Sequence, residues 1–442
     1  MVLDTEPTLT VGQRLVRVLD DLGLPQAHLL MRNPRDVVDL VGQAPGRIAS
    51  ITQQGATGDP RALVPFLDRT LWILGDAGAE VQPFAHHLAA LAGANVRWLR
   101  GYTQLGWSDT AADCTTAVAA AVLAFLAQRD AVAPPPPATL AGAGTIAGVS
   151  YQAAGSGTPV VLLPLGLAPQ QWEPLLPLLQ ARHCTIVLGG RYLSPISFLE
   201  DRAAGHYSRM ALDCLDLAEP QAEEALIEIG CGTGALLRGI AQRFGLARVA
   251  GLDINRFLLR EARALADAAG LAEQLEFHEG SAEAIPFPNA TFDLVCSSTV
   301  LEEVDADRAL AEMVRITKPG GRVVVVVRAM DLRFWTNLPL PEGVAEKMLA
   351  PAGGVSASGC ADGSLLRRLG AAGLQGVRGG PVWSWHQDGM PGWAVAEAAS
   401  ARLLADEAES WRAALVAAAA EGVPAVLGRP HHCALGVKWR AP

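Results

Sequence analysis

One segment, ALIEIGCGTGALLRGIAQRFG at residues 225–245, constrains the fold more than any other part of the chain. A short apolar run before the glycines indicates a buried strand, and apolar residues at helical spacing follow the last glycine. Gly230, Gly232 and Gly234 allow a tight turn and a close approach of the backbone to a ligand. The segment therefore predicts a strand, a ligand-binding loop and a helix, as in a parallel α/β sheet.

A second predicted strand, ARVAGLDI at residues 247–254, ends near an acidic side chain. Asp253 lies nineteen residues after Gly234. An acid at this distance can bind the ribose hydroxyls of a nucleoside, and Ile254 can pack on an adenine face. The letters GCGTGA also fit a dinucleotide-binding fingerprint, so these residues alone leave a nicotinamide oxidoreductase open.

Two later segments carry a more specific pattern. They are EGSAEAIPFPNATFDLVCSSTVLEEV at residues 279–304 and ALAEMVRITKPGGRVVVVV at 309–327. With the glycine loop and Asp253 they resemble the class I S-adenosylmethionine-dependent methyltransferases, most closely the small-molecule group that includes ubiquinone-biosynthesis-type enzymes. The resemblance covers roughly residues 202–438. It implies a Rossmann-like fold, S-adenosylmethionine as the cofactor and methyl transfer to a small organic acceptor, and it disfavours the oxidoreductase.

The resemblance also implies residue roles around the cofactor. Glu228 and the glycines would surround the methionine part, and Tyr207 resembles a lid residue. Two departures from the family matter, because Ser281 stands where an Asp is frequent and Glu303 where a His is frequent. The segment Lys318–Gly321 is expected as a turn before the fifth strand. The full set expected to bind the cofactor is Tyr207, Glu228, Gly230, Cys231, Gly232, Gly234, Asp253, Ile254, Ser281, Ala282, Cys296 and Ser297.

The reaction itself needs few catalytic side chains. A sulfonium is an activated methyl donor, and positioning two reactants can be worth ~7–11 kcal/mol, so a base is needed only if the acceptor must lose a proton. We predict no metal site. The expected catalytic residues are His206, Tyr207 and His386, with His431 and His432 as further candidate bases. Each of these histidines could equally be an ordinary surface or core residue.

Tryptophan is concentrated in an expected insertion at about residues 331–411. Aromatic walls suit a planar or apolar acceptor, and simple core packing is the alternative. The tryptophans are Trp335, Trp383, Trp385, Trp393 and Trp411.

The first two hundred residues resemble a different family, the α/β-hydrolases, with its two halves in reversed order. Before the run Pro134–Pro137, the stretches at 28–38, 71–81 and 96–107 resemble its nucleophile elbow, acid-bearing strand and histidine-bearing turn. After the prolines, residues 148–190 resemble its beginning. A circularly permuted α/β-hydrolase-like domain is the simplest reading, with the prolines joining the old ends. Two separate fragments, or pieces exchanged between chains, are the alternatives.

The hydrolase chemistry is absent from this sequence. Asn33 occupies the position of the nucleophile and Gln104 that of the histidine, while Asp76 remains at the acid position. A triad without nucleophile and base cannot perform acyl transfer by the usual route. Ser108 has no evident base beside it. We therefore expect residues 1–200 to be a degenerate α/β-hydrolase-like domain and residues 201–442 to be a Rossmann-like methyltransferase domain.

Composition limits the partners. Half of the 442 residues are hydrophobic and the formal charge is −10, which favours folded domains and disfavours nucleic acid. Seven scattered cysteines indicate neither a disulfide framework nor a zinc site. The start MVLDTEPTLT is not a secretory signal, and the apolar run Thr116–Ala127 is too short to span a bilayer. We expect a cytoplasmic enzyme of secondary metabolism with no membrane partner, and a homodimer is left open.

Three other functions are compatible with these patterns. One is a protein whose bound S-adenosylmethionine serves a non-methyl reaction or regulation. Another is a binding module in which both domains are inactive. The third, a nicotinamide oxidoreductase, is disfavoured by FDLV and KPGG.

Overall fold

The computed structural model describes residues 9–439 except 33–36, 57–59, 78–80, 104–107, 166–168, 191–192, 194, 352–353, 401–402 and 404. Contacts between residues divide the chain into two compact units, Met1–Phe198 and Leu199–Pro442. The sequence predicts a domain boundary after residue 200.

The first unit contains a mostly parallel sheet. Its strands are β1 Ala27–Met31, β2 Ile48–Gln54, β3 Thr70–Ala77, β4 Asn95–Thr103, β5 Ala138–Thr139, β6 Gly142–Ile146, β7 Val149–Ala154, β8 Ser156–Leu162 and β9 His183–Gly189. Across the sheet their order is β4-β3-β2-β1-β8-β9-β7-β6, and β5 pairs with β8. β7 is antiparallel to both β6 and β9, whereas the neighbours from β9 to β4 are parallel. β6 and β7 therefore form a hairpin at one edge.

Helices cover this sheet. They are α1 Val11–Asp21, α2 Val38–Gln43, α3 Val81–Ala89, α4 Thr110–Asp113, α5 Thr115–Val132 and α6 Leu176–Gln180. The next helix, α7 Pro195–Ala204, crosses the division between the two units. A capping box begins α1, because the side chains of Thr10 and Gln13 each accept a hydrogen bond from the other's backbone N–H. Strand β1 buries Leu29 and Met31 in one apolar cluster and Leu30 in another, as expected for a sheet covered on both faces.

Helix α5 is long and apolar enough to cross a membrane by length and composition. Within the first unit, however, Val118, Val122 and Leu126 of α5 pack in a buried apolar cluster with the sheet. His28 on β1 also lies 3.0 Å from the carboxylate of Asp130 near the end of α5. One face of α5 therefore packs in the core of this unit, while most of the helix is not fully buried.

The second unit contains a second mixed sheet. Its strands are β10 Ala225–Ile229, β11 Arg248–Asp253, β12 Leu275–Glu279, β13 Phe292–Ser298, β14 Thr317–Arg328, β15 Trp335–Thr336, β16 Leu374–Gln387 and β17 Val426–Lys438. Their order is β12-β11-β10-β13-β14-β17-β15, with β16 also paired to β17. The chain order reverses between β10 and β13. In parallel α/β sheets such a switch point opens a crevice at the carboxyl ends of the strands.

The helices of the second unit are α8 His206–Asp216, α9 Ala235–Phe244, α10 Arg256–Ala268, α11 Ala306–Ile316, α12 Glu342–Leu349, α13 Leu365–Ala371, α14 Ala394–Ser400 and α15 Ala405–Ala420. The segment Lys318–Gly321, expected as a turn, forms the irregular start of β14, where the pairing with β13 shifts register. Parts of the expected insertion belong to the core of this unit: Leu365 and Leu369 of α13 are buried, and β16 pairs along β17.

Candidate active site

The glycine loop lies at the carboxyl end of β10, at the switch point of the sheet. Gly230, Gly232 and Gly234 all have positive φ, at 75°, 52° and 69°. An L side chain rarely adopts such angles, which explains the three glycines. The loop is held against β11, because the N–H of Gly230 donates to the carbonyl of Leu252 at 2.7 Å.

The three glycines differ in the space around them. A Cβ added to Gly230 would collide with the side chain of Val300, and one added to Gly234 would lie 2.9 Å from Phe277. A Cβ added to Gly232 would meet no atom within 4 Å. Gly232 therefore faces open space, as a backbone that cradles a ligand requires.

Asp253 ends β11 next to this loop. Its Oδ2 accepts a hydrogen bond from the N–H of Gly232 at 2.8 Å, and its Oδ1 accepts one from the N–H of Asn255 at 2.8 Å. A carboxylate has about four acceptor positions, so both oxygens can still bind hydroxyl groups. Burial raises the pKa of Asp253, and the hydrogen bonds from Asn255 and Gly232 oppose that rise. Ile254 beside it is exposed and can pack on a planar group.

Glu228 lies one residue before the end of β10 and is buried. Its Oε2 has no hydrogen-bond partner among the described residues. Burial raises its pKa well above the usual range, and the charge of Asp253 raises it further. A buried acid of this kind fits a cationic or hydrogen-donating group of a ligand.

The loop that is expected to contact the edge of the adenine also lies beside Asp253. The N–H of Gly280 donates to the carbonyl of Asp253 at 3.1 Å, which brings Ser281 and Ala282 close to this site. The hydroxyl of Ser281 accepts a hydrogen bond from the N–H of Glu283 at 3.1 Å. The side chain of Ser281 thus stabilises its own turn. We therefore expect this loop to contact the adenine through its backbone.

Three of the residues that are expected to contact the cofactor have side chains with partners inside the protein. The buried thiols of Cys231 and Cys296 pack in an apolar cluster of the second unit. The hydroxyl of Ser297 donates to the carbonyl of Ile229 at 2.9 Å. Their backbones remain at the carboxyl ends of β10 and β13, so contact with a cofactor through these three residues stays a prediction.

Ser298 and Thr299 come directly after Ser297, and the sequence reasoning did not include them. Both hydroxyls lie near the hydroxyl of Tyr207, at 2.8 and 3.2 Å. Thr299 has a positive φ of 57°, which is rare for a β-branched residue. The CSST run at the end of a predicted strand was the available signal. These contacts bring Tyr207, an expected lid and catalytic residue, to the end of β13.

The expected catalytic histidines lie in two places. His386 and His431 are fully buried, and the ring of His431 lies 5.6 Å from that of Tyr207. His206 is near the backbone of β16, where its Nδ1 lies 3.5 Å from the N–H of Trp385. His432 pairs with Asp331 at 2.8 Å and faces away from His431 along β17.

Burial lowers the pKa of His386 to about 3, with the charges of Arg429 and Arg202 adding to the effect. The same causes lower the pKa of His431 well below its usual value. Both rings are therefore neutral at pH 7. Because a general base works best with a pKa near the working pH, His386 is a weak candidate for that role.

The tryptophans form two groups. Trp393 and Trp411 are buried and stacked, with ring centres 6.3 Å apart. Trp335, Trp383 and Trp385 form a partly exposed cluster over Gly428. Since strand side chains alternate between faces, this cluster lies opposite the face that carries His386 and His431. The two predicted features therefore cannot line one side of the sheet.

The residues at the switch point fit S-adenosylmethionine by their chemistry. Asp253 would hold the ribose hydroxyls, Glu228 would face the methionine part, and the open space at Gly232 would admit the ligand next to the backbone. Among the residues that the structure describes, no group of three or more His, Cys, Asp or Glu side chains could hold a metal ion.

Comparisons with known proteins agree with this chemistry. A family model described as a methyltransferase domain matches residues 227–325. A ubiquinone/menaquinone biosynthesis C-methyltransferase UbiE of Roseobacter denitrificans is 34% identical over 113 residues, 25% of this chain and 45% of the relative. The protein of the same name from Hahella chejuensis is 33% identical over 138 residues, 28% of this chain and 55% of the relative. The chain thus spans about half the length of these curated relatives.

Similar solved structures have low sequence identity. A putative methyltransferase from Bacillus halodurans C-125 is 16% identical, with a TM-score of 0.36 over 52% of this chain and 99% of that chain. A geranyl diphosphate methyltransferase in complex with SAM is 18% identical, with a TM-score of 0.31 over 51% of this chain and 84% of that chain.

The matched segment contains the glycine loop, Asp253 and the end of β13. The matches imply S-adenosylmethionine as its cofactor. Residues 227–325 of this chain therefore match a methyltransferase domain.

Proposed function

We propose that this protein transfers a methyl group from S-adenosylmethionine to a small organic acceptor. One observation carries the proposal: Asp253 accepts a hydrogen bond from the open glycine loop and lies next to the buried, unpartnered Oε2 of Glu228 at the switch point. A diol-binding acid and a site for a cationic group thus meet at one loop. By analogy alone, a tailoring step of secondary metabolism is our preferred context.

When bound, S-adenosylmethionine supplies a methyl group on a sulfonium. The protein's own residues then bind, orient and exclude water. Asp253 and Glu228 fix the ligand at the carboxyl ends of β11 and β10. Tyr207, held by Ser298 and Thr299, covers the end of β13. Positioning of this kind can supply most of the rate enhancement, so no strong base is required.

Calorimetry tests the cofactor assignment. We expect S-adenosylhomocysteine to bind the purified protein and Asp253→Ala to weaken that binding strongly. Asp267→Ala is the matched control, because Asp267 is an exposed aspartate at the end of α10. Tight binding of NADH without binding of S-adenosylhomocysteine would instead support the oxidoreductase. Binding of S-adenosylhomocysteine without any methyl transfer would support the regulatory or non-methyl alternative.

We further propose that the first unit is a circularly permuted, degenerate α/β-hydrolase-like domain. If residues 138–189 are counted before residues 27–103, the sheet order becomes 1-2-4-3-5-6-7-8 with strand 2 antiparallel, which resembles the order of that fold. Asp76 ends β3, at the expected acid position, and accepts a hydrogen bond from the N–H of Gly101 at 2.6 Å. Asn33 and Gln104 lie outside the described residues.

Two measurements address this second proposal. The purified protein should not hydrolyse p-nitrophenyl acetate above the rate in buffer. A variant of the first unit with residues 138–198 placed before residues 1–133 should retain the native far-ultraviolet circular dichroism spectrum and unfold cooperatively. Esterase activity would show that the domain is not degenerate, and an unfolded reordered variant would contradict the permutation.

A further inference from the structure

Two arginines of the second unit lie near Tyr207. The guanidinium of Arg202, on α7, lies 4.0 Å above the Tyr207 ring. Arg429, on β17, is two residues before His431 and so shares its face of the strand. The ring of His431 contacts that of Tyr207. Arg202 and Arg429 therefore approach the expected lid residue from two elements that are far apart in sequence.

Neither arginine has an acidic partner among the residues that the structure describes. Other arginines of this unit do: Arg322 pairs with Glu224 at 2.6 Å, and Arg328 pairs with Glu302 at 3.3 Å. Burial lowers the pKa of Arg429 to about 10, the charges of Arg202 and Arg328 add to this effect, and the charge of Glu302, which pairs with Arg328, opposes it. Partly buried like charges without a counter-ion are costly, so a site of this composition favours an anion.

Buried nitrogen atoms without partners surround the same place. Nδ1 of His386 and Nε2 of His431 are buried and make no hydrogen bond with the described residues, and the same holds for Nε of Arg202. Both histidines are fully inaccessible to solvent. Nδ1 of His431 faces the carbonyl of Arg429 at 3.2 Å and so carries the hydrogen of that ring. Because buried polar atoms are normally paired, the remaining two nitrogens, Nε of Arg202 and Nδ1 of His386, indicate a missing acceptor of hydrogen bonds.

The position of the cluster relates it to the reaction. Tyr207 joins it to Ser298 and Thr299 at the end of β13. That strand end borders the cofactor site described above. His386 and His431 are inaccessible to solvent and both arginines are only partly exposed, which favours a small anionic molecule over a macromolecule.

We infer that Arg202 and Arg429 bind an oxyanion, a carboxylate or a phosphate, carried by the methyl acceptor. The inference rests on the proposed function, because it names the acceptor class of the same site. Guanidinium groups suit an oxyanion, and Nδ1 of neutral His386 can donate a further hydrogen bond to it when Nε2 accepts from the hydroxyl of Ser384. The anion then acts as an anchor that orients the acceptor beyond Tyr207.

The experiment compares simple probes by ligand-observed NMR with the full-length protein, with and without saturating S-adenosylhomocysteine. The anionic probes are benzoate and phenyl phosphate, and benzamide is the neutral match for benzoate. We expect at least one anion to bind and benzamide not to. Whether benzoate or phenyl phosphate binds more tightly decides between the carboxylate and the phosphate.

Variants then test the arginines. Arg202→Gln and Arg429→Gln should each weaken binding of the anion about tenfold or more, the loss expected for one charged hydrogen bond. Binding of S-adenosylhomocysteine should change little. Arg429→Lys keeps the charge and should retain part of the affinity. Arg367→Gln, at an exposed position on α13, removes the same charge and should have no effect.

The outcomes separate the two proposals. Equal binding of benzoate and benzamide, no binding of either anion, or unchanged affinity in both glutamine variants would overturn the anion site. If the wild type binds an anion through both arginines but does not bind S-adenosylhomocysteine, the anion site stands and the proposed function fails. Circular dichroism of each variant confirms that loss of affinity is not loss of fold.

Discussion

The N–H of Gly232 donates a hydrogen bond to Oδ2 of Asp253 at 2.8 Å. The acid that is expected to hold the ribose thus also fixes the loop that is expected to hold the methionine part. Its second oxygen accepts from the N–H of Asn255, whose side chain caps α10 by accepting from Phe257 and Leu258. One carboxylate therefore connects the glycine loop, β11 and the start of α10.

Gly232→Ala should abolish cofactor binding by filling the open space at the loop. The left-handed backbone costs an L-residue about 1–2 kcal/mol. Gly245→Ala is the matched control, because Gly245 has a φ of 60° and also meets no atom within 4 Å. We expect similar losses of thermal stability in the two variants but a loss of S-adenosylhomocysteine binding, by calorimetry, only in Gly232→Ala. Equal affinities in both variants would show that the loop does not border the ligand.

Glu228 should release a proton when the cofactor binds. Burial holds its pKa well above the usual range, and the cationic methionine part of the ligand would lower it. Calorimetry near pH 6 in buffers of different ionisation enthalpy would therefore give different apparent binding enthalpies. Glu228→Gln cannot titrate, so the buffer dependence should decrease in that variant. A wild-type enthalpy that is independent of buffer would contradict this assignment.

Much of this site could be predicted from local sequence, and the reasons are physical. The glycines and Asp253 lie within one short strand–loop–helix–strand segment, residues 225–253. The contacts of Tyr207 could not be predicted, because Ser298, Arg202 and His431 come from three separate elements. The choice of Ser297 over Ser298 shows the limit of strand boundaries, since a shift of one residue exchanges the two faces of a strand.

Tyr207 and Ser298 should be energetically coupled. Their hydroxyls lie 2.8 Å apart in a buried position, and one buried hydrogen bond contributes about 0.5–1.5 kcal/mol. Tyr207→Phe should lower the activity of the enzyme and its stability. A double-mutant cycle with Ser298→Ala, followed by urea unfolding, should give a coupling energy of this size. Additive effects of the two changes would indicate that the contact contributes nothing.

His386 should make the stability of the second unit depend on pH. Its pKa in the native protein is about 3, whereas an unfolded histidine has a pKa near 6.5. Between these values the unfolded chain binds a proton that the native protein does not. The contribution of His386 to stability is therefore fully present above pH 6.5 and decreases as the pH falls toward 3, by up to about 1.4 kcal/mol per pH unit.

Replacing the imidazole of His386 by a phenyl ring, which cannot titrate, isolates the contribution of His386 to the pH dependence of stability. The difference in melting temperature between His386→Phe and the wild type should change in favour of the variant as the pH is lowered from 7 to 4. His87→Phe is the control, because His87 is exposed on α3, and its difference from the wild type should stay nearly constant. Parallel curves for His386→Phe and the wild type would mean that the pKa of His386 is the same in the native protein as in the unfolded chain.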